Sequence, residues 1–187
     1  MKKTLLVIAM AFAISANAQT WKLDKGHSNV GFSVVHMMLS DVEGKFTDFD
    51  ATITASKEDL SDAKFTMTAQ IASIDTDNER RDGHLKSADY FDAEKFPTLN
   101  FVSTSFKKVE GKKYKMVGNL TMHGVTKPVT FDVTMNGPIE HPRSKKMMIG
   151  LKVSGNLDRT AFGVGDSPEA MLSHNIELRA SGEFTKE

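Results

Sequence analysis

Apolar and polar residues alternate with a period of two over most of this chain. Val129, Phe131, Val133 and Met135 share one phase; Thr130, Asp132, Thr134 and Asn136 share the other. Successive side chains of a β-strand point to opposite faces, so the pattern predicts a strand with one face buried and one wet. It recurs at Val30, Phe32 and Val34; at Phe49, Ala51 and Ile53; at Phe65, Met67, Ala69 and Ile71; and at Leu99 and Phe101. Further along it recurs at Met116, Gly118, Leu120 and Met122; at Ile149, Leu151 and Val153; and at Ile176, Leu178 and Ala180. The segments amount to about eight strands with turn signals between most of them. Val109-Glu110-Gly111-Lys112 and Met122-His123-Gly124 read as hairpin turns, Gly124 being suited to positive φ. Single-faced alternation predicts antiparallel pairing, and this many strands in one small domain make a closed barrel or a two-sheet sandwich.

One stretch interrupts the alternation. Ser73 to Pro97 is polar and dense in charge, too long for a hairpin loop, and so reads as a functional segment or a lid. Within it, Asn78 to Lys86 is expected as a short helix, with Asp77 or Thr76 as N-cap, Glu79 in the first turn and Lys86 near the end. Two features bear on the interior. Gly118, Gly155 and Gly182 fall on the apolar phase, where glycine leaves empty space or permits a sharp bend. Met67, Met116, Met122 and Met135 also point inward, and flexible thioethers either fill a core or adapt to an irregular apolar ligand.

The N-terminus follows a different pattern. Lys2 and Lys3 precede a short apolar run from Leu5 to Ile14, and Ala16-Asn17-Ala18 is a small-x-small cleavage site. Residues 1–18 therefore read as a cleaved signal peptide, and 19–187 as a single domain beginning at Gln19. The competing reading is a membrane anchor, but the run is too short to span a bilayer. Export to the periplasm or to the medium follows. Removing Lys2 and Lys3 from 24 basic residues leaves 22 against 24 acidic ones, a net charge near −2. No strong field then exists to hold nucleic acid or an anionic surface. The absence of cysteine excludes disulfides, thiolate-bound metals, thiol nucleophiles and a lipid anchor on a cleavage-site cysteine.

The chain carries no G-x-S-x-G, H-E-x-x-H or calcium loop. Gly163-Val164-Gly165 opens like a dinucleotide fingerprint, but Pro168 takes the third glycine position. His27 and His36 with Asp24 match no ligand spacing for zinc, so no metal is expected, and a structural hydrogen bond or a place at a cavity mouth fits them better. His123 and His141 sit in turns and are expected to be solvated, and His174 is expected to bond locally before the last strand. Arg81 and Asp82, beside His84, either pair and pin the helix or hold the head group of a ligand; Arg159, beside a glycine-rich loop, has the same two readings.

Several of these segments together resemble the YceI-like family of bacterial extracytoplasmic lipid binders. They are Trp21 to Asp24 with His27-Ser28; Ser73-Ile74-Asp75-Thr76; Arg81-Asp82; His84-Leu85; Phe91; Phe96-Pro97; Gly118 to Thr121 running into Gly124 to Val129; and Arg159 to Gly163. The matches span nearly the whole mature chain in the family's order. The resemblance selects the barrel: an all-β, antiparallel, lipocalin-like fold of about eight strands, with one or two short helices between residues 75 and 97. It implies non-catalytic binding, storage or transport of a long-chain amphipathic lipid. A polyisoprenoid of the prenyl quinone or prenyl phosphate type is implied, as ligand rather than as cofactor.

The phase of the strands puts Phe32, Val34, Phe65, Met67, Phe101, Met116, Leu120, Phe131, Val133, Leu151, Val153 and Leu178 along the expected tunnel. His27, His36, Arg81, Asp82 and Arg159 are the candidates for its polar mouth. Three or four buried prenyl units would contribute roughly 9 to 16 kcal/mol before entropy losses, so affinity needs no polar contact. The segment from Asp75 to Phe96 is the candidate lid. Two other classes stay open: a hydrolase acting on a lipid head group through His27 or His84 with Asp24 or Asp82, and a fully packed barrel that binds a protein partner. Barrel closure removes edge strands and so requires no homodimer, although family members often pair.

Overall fold

The alternating segments become the staves of one closed sheet in the computed structural model, which describes residues 18–187. Of the expected signal peptide, all but Ala18 lies outside the described residues. The strands are β1 (Gln19–His36), β2 (Ser40–Phe46), β3 (Phe49–Ala55), β4 (Lys64–Gln70), β5 (Ile74–Asp75), β6 (Thr98–Glu110), β7 (Lys113–Met122), β8 (Val125–Glu140), β9 (Met147–Asp158) and β10 (Leu172–Lys186). One helix, α1 (Glu79–Lys86), lies between β5 and β6. Strands β1, β3, β4, β6, β7, β8, β9 and β10 form an antiparallel ring that closes where β10 pairs with β1. These are the eight strands expected from alternation.

Two strands were not legible. β2 puts only Val42 and Phe46 on its inward phase, with Gly44 between them, and β5 is two residues long, too short to show a period. Both arise because β1 serves two neighbours. Its first residues, Gln19–Lys22, pair with β3, while Val30–His36 pair with β2, on which β5 then adds. Between them, Leu23 to Asn29 have no ladder partner on that side. On the other side the same stretch bulges over Gly182: Asp24 pairs with Glu183 and Asn29 with Ser181. Ile71, expected in β4, begins a short 3₁₀ turn instead. In α1 the N-cap is Asn78, one residue later than expected. Its side chain accepts the Arg81 N–H at 3.0 Å, and Asp77 before it has a left-handed φ of 57°.

The inward glycines neither leave a void nor merely bend the sheet. Aromatic rings of the neighbouring strands lie over Gly118 and Gly155, as edge glycines are rescued by aromatics elsewhere, while Gly182 lies under Leu23 and Ser28 of the β1 bulge. A Cβ built on Gly118 would strike the Phe101 ring and lie 2.6 Å from the Val102 carbonyl oxygen; one on Gly155 would lie 2.6 Å from Phe131 Cδ1. The rings of Phe101 and Phe131 meet edge to face at 5.4 Å, so the two glycines seat one aromatic pair. Gly118→Ala is therefore expected to destabilise the barrel by about 1–3 kcal/mol, because ring and backbone must both shift. A chemical-denaturation midpoint lowered at unchanged slope checks this, and an unchanged midpoint would contradict the packing described.

Candidate functional site

The inward side chains do not fill the barrel. A main chamber of about 120 Å³ lies at its centre. Nine of the twelve residues expected along a tunnel line it: Phe65, Met67, Phe101, Met116, Leu120, Phe131, Leu151, Val153 and Leu178. Met67, Val153 and Leu178 point inward yet are only half-buried, as residues facing a hollow should be. Phe32 and Val34 belong to a second chamber of about 50 Å³, roofed by Leu85 of α1 and by Tyr90 and Phe91 beyond it. Val133 borders neither chamber. It pairs across the ladder with Tyr114 and lines a wider recess of about 580 Å³ that shares Asn29, Val153, Arg179, Ala180 and Ser181 with the main chamber.

The expected through-tunnel is thus divided. Phe46, Leu99 and Leu178 border both chambers and form the partition between them. Phe46 comes from β2, the strand alternation did not reveal, which is why the division was not foreseen. An apolar cavity of about 150 Å³ accommodates one benzene. The main chamber as it stands therefore has room for about one prenyl unit, not three or four. Further wall residues that were not named from the sequence are Leu23, Phe49, Ala51, Ala180 and Phe184. Phe49, Ala51 and Ala180 lay on the recognised inward phase and could have been included; Asn29, a polar residue bordering chamber and recess, gave no signal.

The polar candidates fare differently from the apolar ones. Arg159 is 1% exposed, and all five of its N–H donors are consumed by backbone carbonyls. Nε donates to Ser173 at 3.0 Å, Nη1 to Val164 at 2.8 Å and Gly165 at 3.0 Å, and Nη2 to Ser167 at 2.8 Å and Leu172 at 3.0 Å. It borders the second chamber but has no donor left for a head group; it fastens the 160–172 loop. Arg81 and Asp82 do not pair with each other. Arg81 donates to the Thr76 hydroxyl and carbonyl at 2.8 and 2.7 Å, and Asp82 accepts from the Thr76 N–H and hydroxyl. Thr76 is buried, so both side chains pin α1 to β5. Neither lines a chamber. His36 is exposed at the end of β1 and faces no chamber. The lid is further tied by Tyr90, whose hydroxyl lies 3.1 Å from Ser167 Oγ.

His27 sits on the bulge of β1, exposed, with Nδ1 3.0 Å from Asp24 Oδ2. Glu183 approaches from β10, and Asp24, His27 and Glu183 offer ligand atoms within 4.8 Å of one another. His36 is not part of this group. The hydrogen bond to Asp24, then the Asp24 and Glu183 charges, raise the His27 pKa above its ordinary 6.5; the His27 bond, then the Gly26 N–H, lower Asp24 below 3.8. The raised histidine contributes fully below 6.5 and loses its contribution as pH climbs through the folded value. The depressed carboxylate contributes fully above 3.8 and fades as pH falls through its own. The pair is therefore at full strength between pH 3.8 and 6.5. The His27 ring is expected to titrate above 6.5 by NMR and to move back toward it in Asp24→Asn; an unchanged midpoint in that variant would show that the bond does not form in solution.

The remaining histidines are structural. His123 is half-buried rather than solvated: its ring meets Phe96 edge-on at 4.8 Å, and Nδ1 lies 3.3 Å from the Phe162 carbonyl oxygen. His141 Nδ1 accepts the Arg143 and Ser144 N–H groups of its own turn. His174 bonds locally to Glu169, as expected. His84 lies 3.6 Å from Asp89, not beside Asp82, so the second acid–base pair envisaged for a hydrolase is not assembled.

A closed antiparallel barrel with an apolar hollow and a helical cover defines a lipocalin-like barrel. The YceI-like domain model matches residues 21–184, and the chain belongs to that family. A UPF0312 protein of Staphylococcus aureus strain USA300 is 35% identical over 167 residues, covering 87% of this chain and 95% of that protein. One of Staphylococcus epidermidis is 35% identical over 170 residues, covering 88% and 96%. The crystal structure of a Campylobacter jejuni YceI protein is similar with a TM-score of 0.75 at 33% identity, over 88% of this chain and 96% of that one. The fold is also shared with Burkholderia cenocepacia BcnA, TM-score 0.78 at 23% identity, over 86% and 98%. A polyisoprenoid binding domain from Saccharophagus degradans has the same fold, TM-score 0.69 at 11% identity, over 89% and 98%.

Proposed function

We propose that this protein binds one long-chain amphipathic lipid of the polyisoprenoid class inside its barrel and does no chemistry on it. The observation that carries this reading is the main chamber: a hollow walled by aliphatic and aromatic side chains at the centre of the fold. Burial of about 0.8 kcal/mol per CH₂ drives the tail in. A tail longer than one unit moves Phe46, Leu99 or Leu178 aside and joins the two chambers. Asn29, Arg179 and Ser181, which border both chamber and recess, are the polar residues placed near a head group. The name of the Saccharophagus degradans domain supports the lipid class, and family membership supports binding over catalysis.

Native mass spectrometry of the purified protein, followed by solvent extraction, tests the reading. One copurifying lipid per barrel is expected, with a prenyl chain. Protein that is empty, and that takes up no prenyl lipid when offered it, would defeat it. Export belongs to the same proposal, and sequencing of the mature N-terminus is expected to begin at Gln19.

A further inference from the structure

A short exposed apolar element stands at the lid end of the barrel. The β1–β2 hairpin exposes Met37 by 51%, Met38 by 74% and Leu39 by 84%, and Met171 beside it by 56%. The Met37 N–H donates to the Met171 carbonyl at 2.9 Å, which ties the two segments together. From Ser33 to Ser40 the sequence SVVHMMLS carries no lysine, arginine, aspartate or glutamate. Met37 and Met38 hold left-handed φ values of 51° and 56°, a conformation that L side chains seldom adopt. Their strained backbone carries large apolar side chains out into water, where no core contact stabilises them. Such arrangements gather at functional positions.

The tip is continuous with the candidate site. Val34, three residues before Met37, and Leu172, one after Met171, both line the second chamber. The loop ending at Met171 is held by Arg159 and touches Tyr90 of the lid through Ser167. An object in contact with the tip therefore lies beside the lid.

We propose that the β1–β2 tip, with Met171, inserts shallowly into an uncharged lipid bilayer and sets the lid end of the barrel against it, so that a lipid tail passes between membrane and barrel with little exposure to water. This rests on the lipid-binding reading above. The tip is too small for a stable protein interface, which takes some 20–30 residues a side. Its few protruding apolar side chains suit insertion to the depth of the acyl boundary. The charged residues nearest it in sequence, Asp41 on β2 and Glu169 on the loop, are acidic. Glu43 further along β2 is paired with Arg179 at 3.7 Å, so the tip presents no free cation to an anionic head group and neutral lipid is the surface it fits.

Flotation with phosphatidylcholine vesicles tests the proposal. The wild type is expected to float with them, with no gain when phosphatidylglycerol is added and little loss in high salt. The double variant Met38→Asp and Leu39→Asp is expected to lose at least tenfold of this binding, while Ile139→Asp, an exposed apolar residue on β8, keeps it. Copurifying lipid is counted in the same samples. A tip variant that retains its lipid but not the vesicles supports the proposal, whereas empty wild-type protein that still floats removes the lipid reading and leaves the contact element standing. Wild type that stays with the buffer, or equal loss in the Ile139 variant, overturns the proposal. So does a concentration-dependent dimer abolished by the tip variant without any vesicle binding, which would assign the tip to a second copy of the chain.

Discussion

Phe101→Asp is expected to strip copurifying lipid from the protein by well over tenfold, while Arg81→Ala leaves most of it in place. Phe101 is 4% exposed, lines the main chamber and packs against Phe131, so a carboxylate there faces the tail with no partner. An unpaired buried charge costs several kcal/mol, and each 1.4 kcal/mol is a tenfold change in retention. Arg81 grips Thr76 just after β5 and lines neither chamber, so its loss loosens α1 without altering the apolar surface. Lipid counted by mass spectrometry reads both variants. Should Phe101→Asp fail to fold, Ala51→Trp serves in its place: Ala51 is a half-buried residue on the chamber wall, and an indole there occupies the hollow while the ladder stays intact. Equal lipid loss in the Arg81 variant and the chamber variants would contradict the division of labour between lid and wall.

Arg159→Ala is expected to cost at least about 3 kcal/mol of stability, the value of two of its charge-assisted hydrogen bonds. For a domain of this size that lowers Tm by about 6–12 °C. Five carbonyls converge on one guanidinium, that of Val164 buried and the others partly so, and its removal takes this donor from all of them. Arg159→Lys is expected to recover only part of the loss, because three ammonium donors cannot reproduce the planar fork. A thermal melt on each variant, with lipid content measured alongside, separates the structural role from a head-group role. A variant that melts normally but loses its lipid would restore Arg159 to the ligand.

The apolar half of the site was legible because strand phase is a local property. Phe65, Phe101, Leu120 and Leu151 had to point inward once their strands formed, and the hollow is where inward positions meet. The polar half was not legible, because a charged residue in a loop carries no periodicity to reveal its partners. Arg159 read equally as a structural anchor or as a ligand for anionic oxygens; only folding brings Ser173, Val164 and Ser167 around it. Arg81 and Asp82 had two readings, pairing to pin the helix or holding a head group; they do not pair with each other, and the residue they grip, Thr76, lies outside any pattern.

The sequence by itself determined the eight staves, the face each one buries and the helix in the long connection, since those follow from a two-residue repeat and from capping chemistry. Closure, the bifurcation of β1 between β3 and β2, the aromatic rings seated on Gly118 and Gly155, and the partition at Phe46 were decided only by the tertiary structure. Each of these depends on which strands become neighbours, and a hollow is a property of opposite walls, not of any single strand.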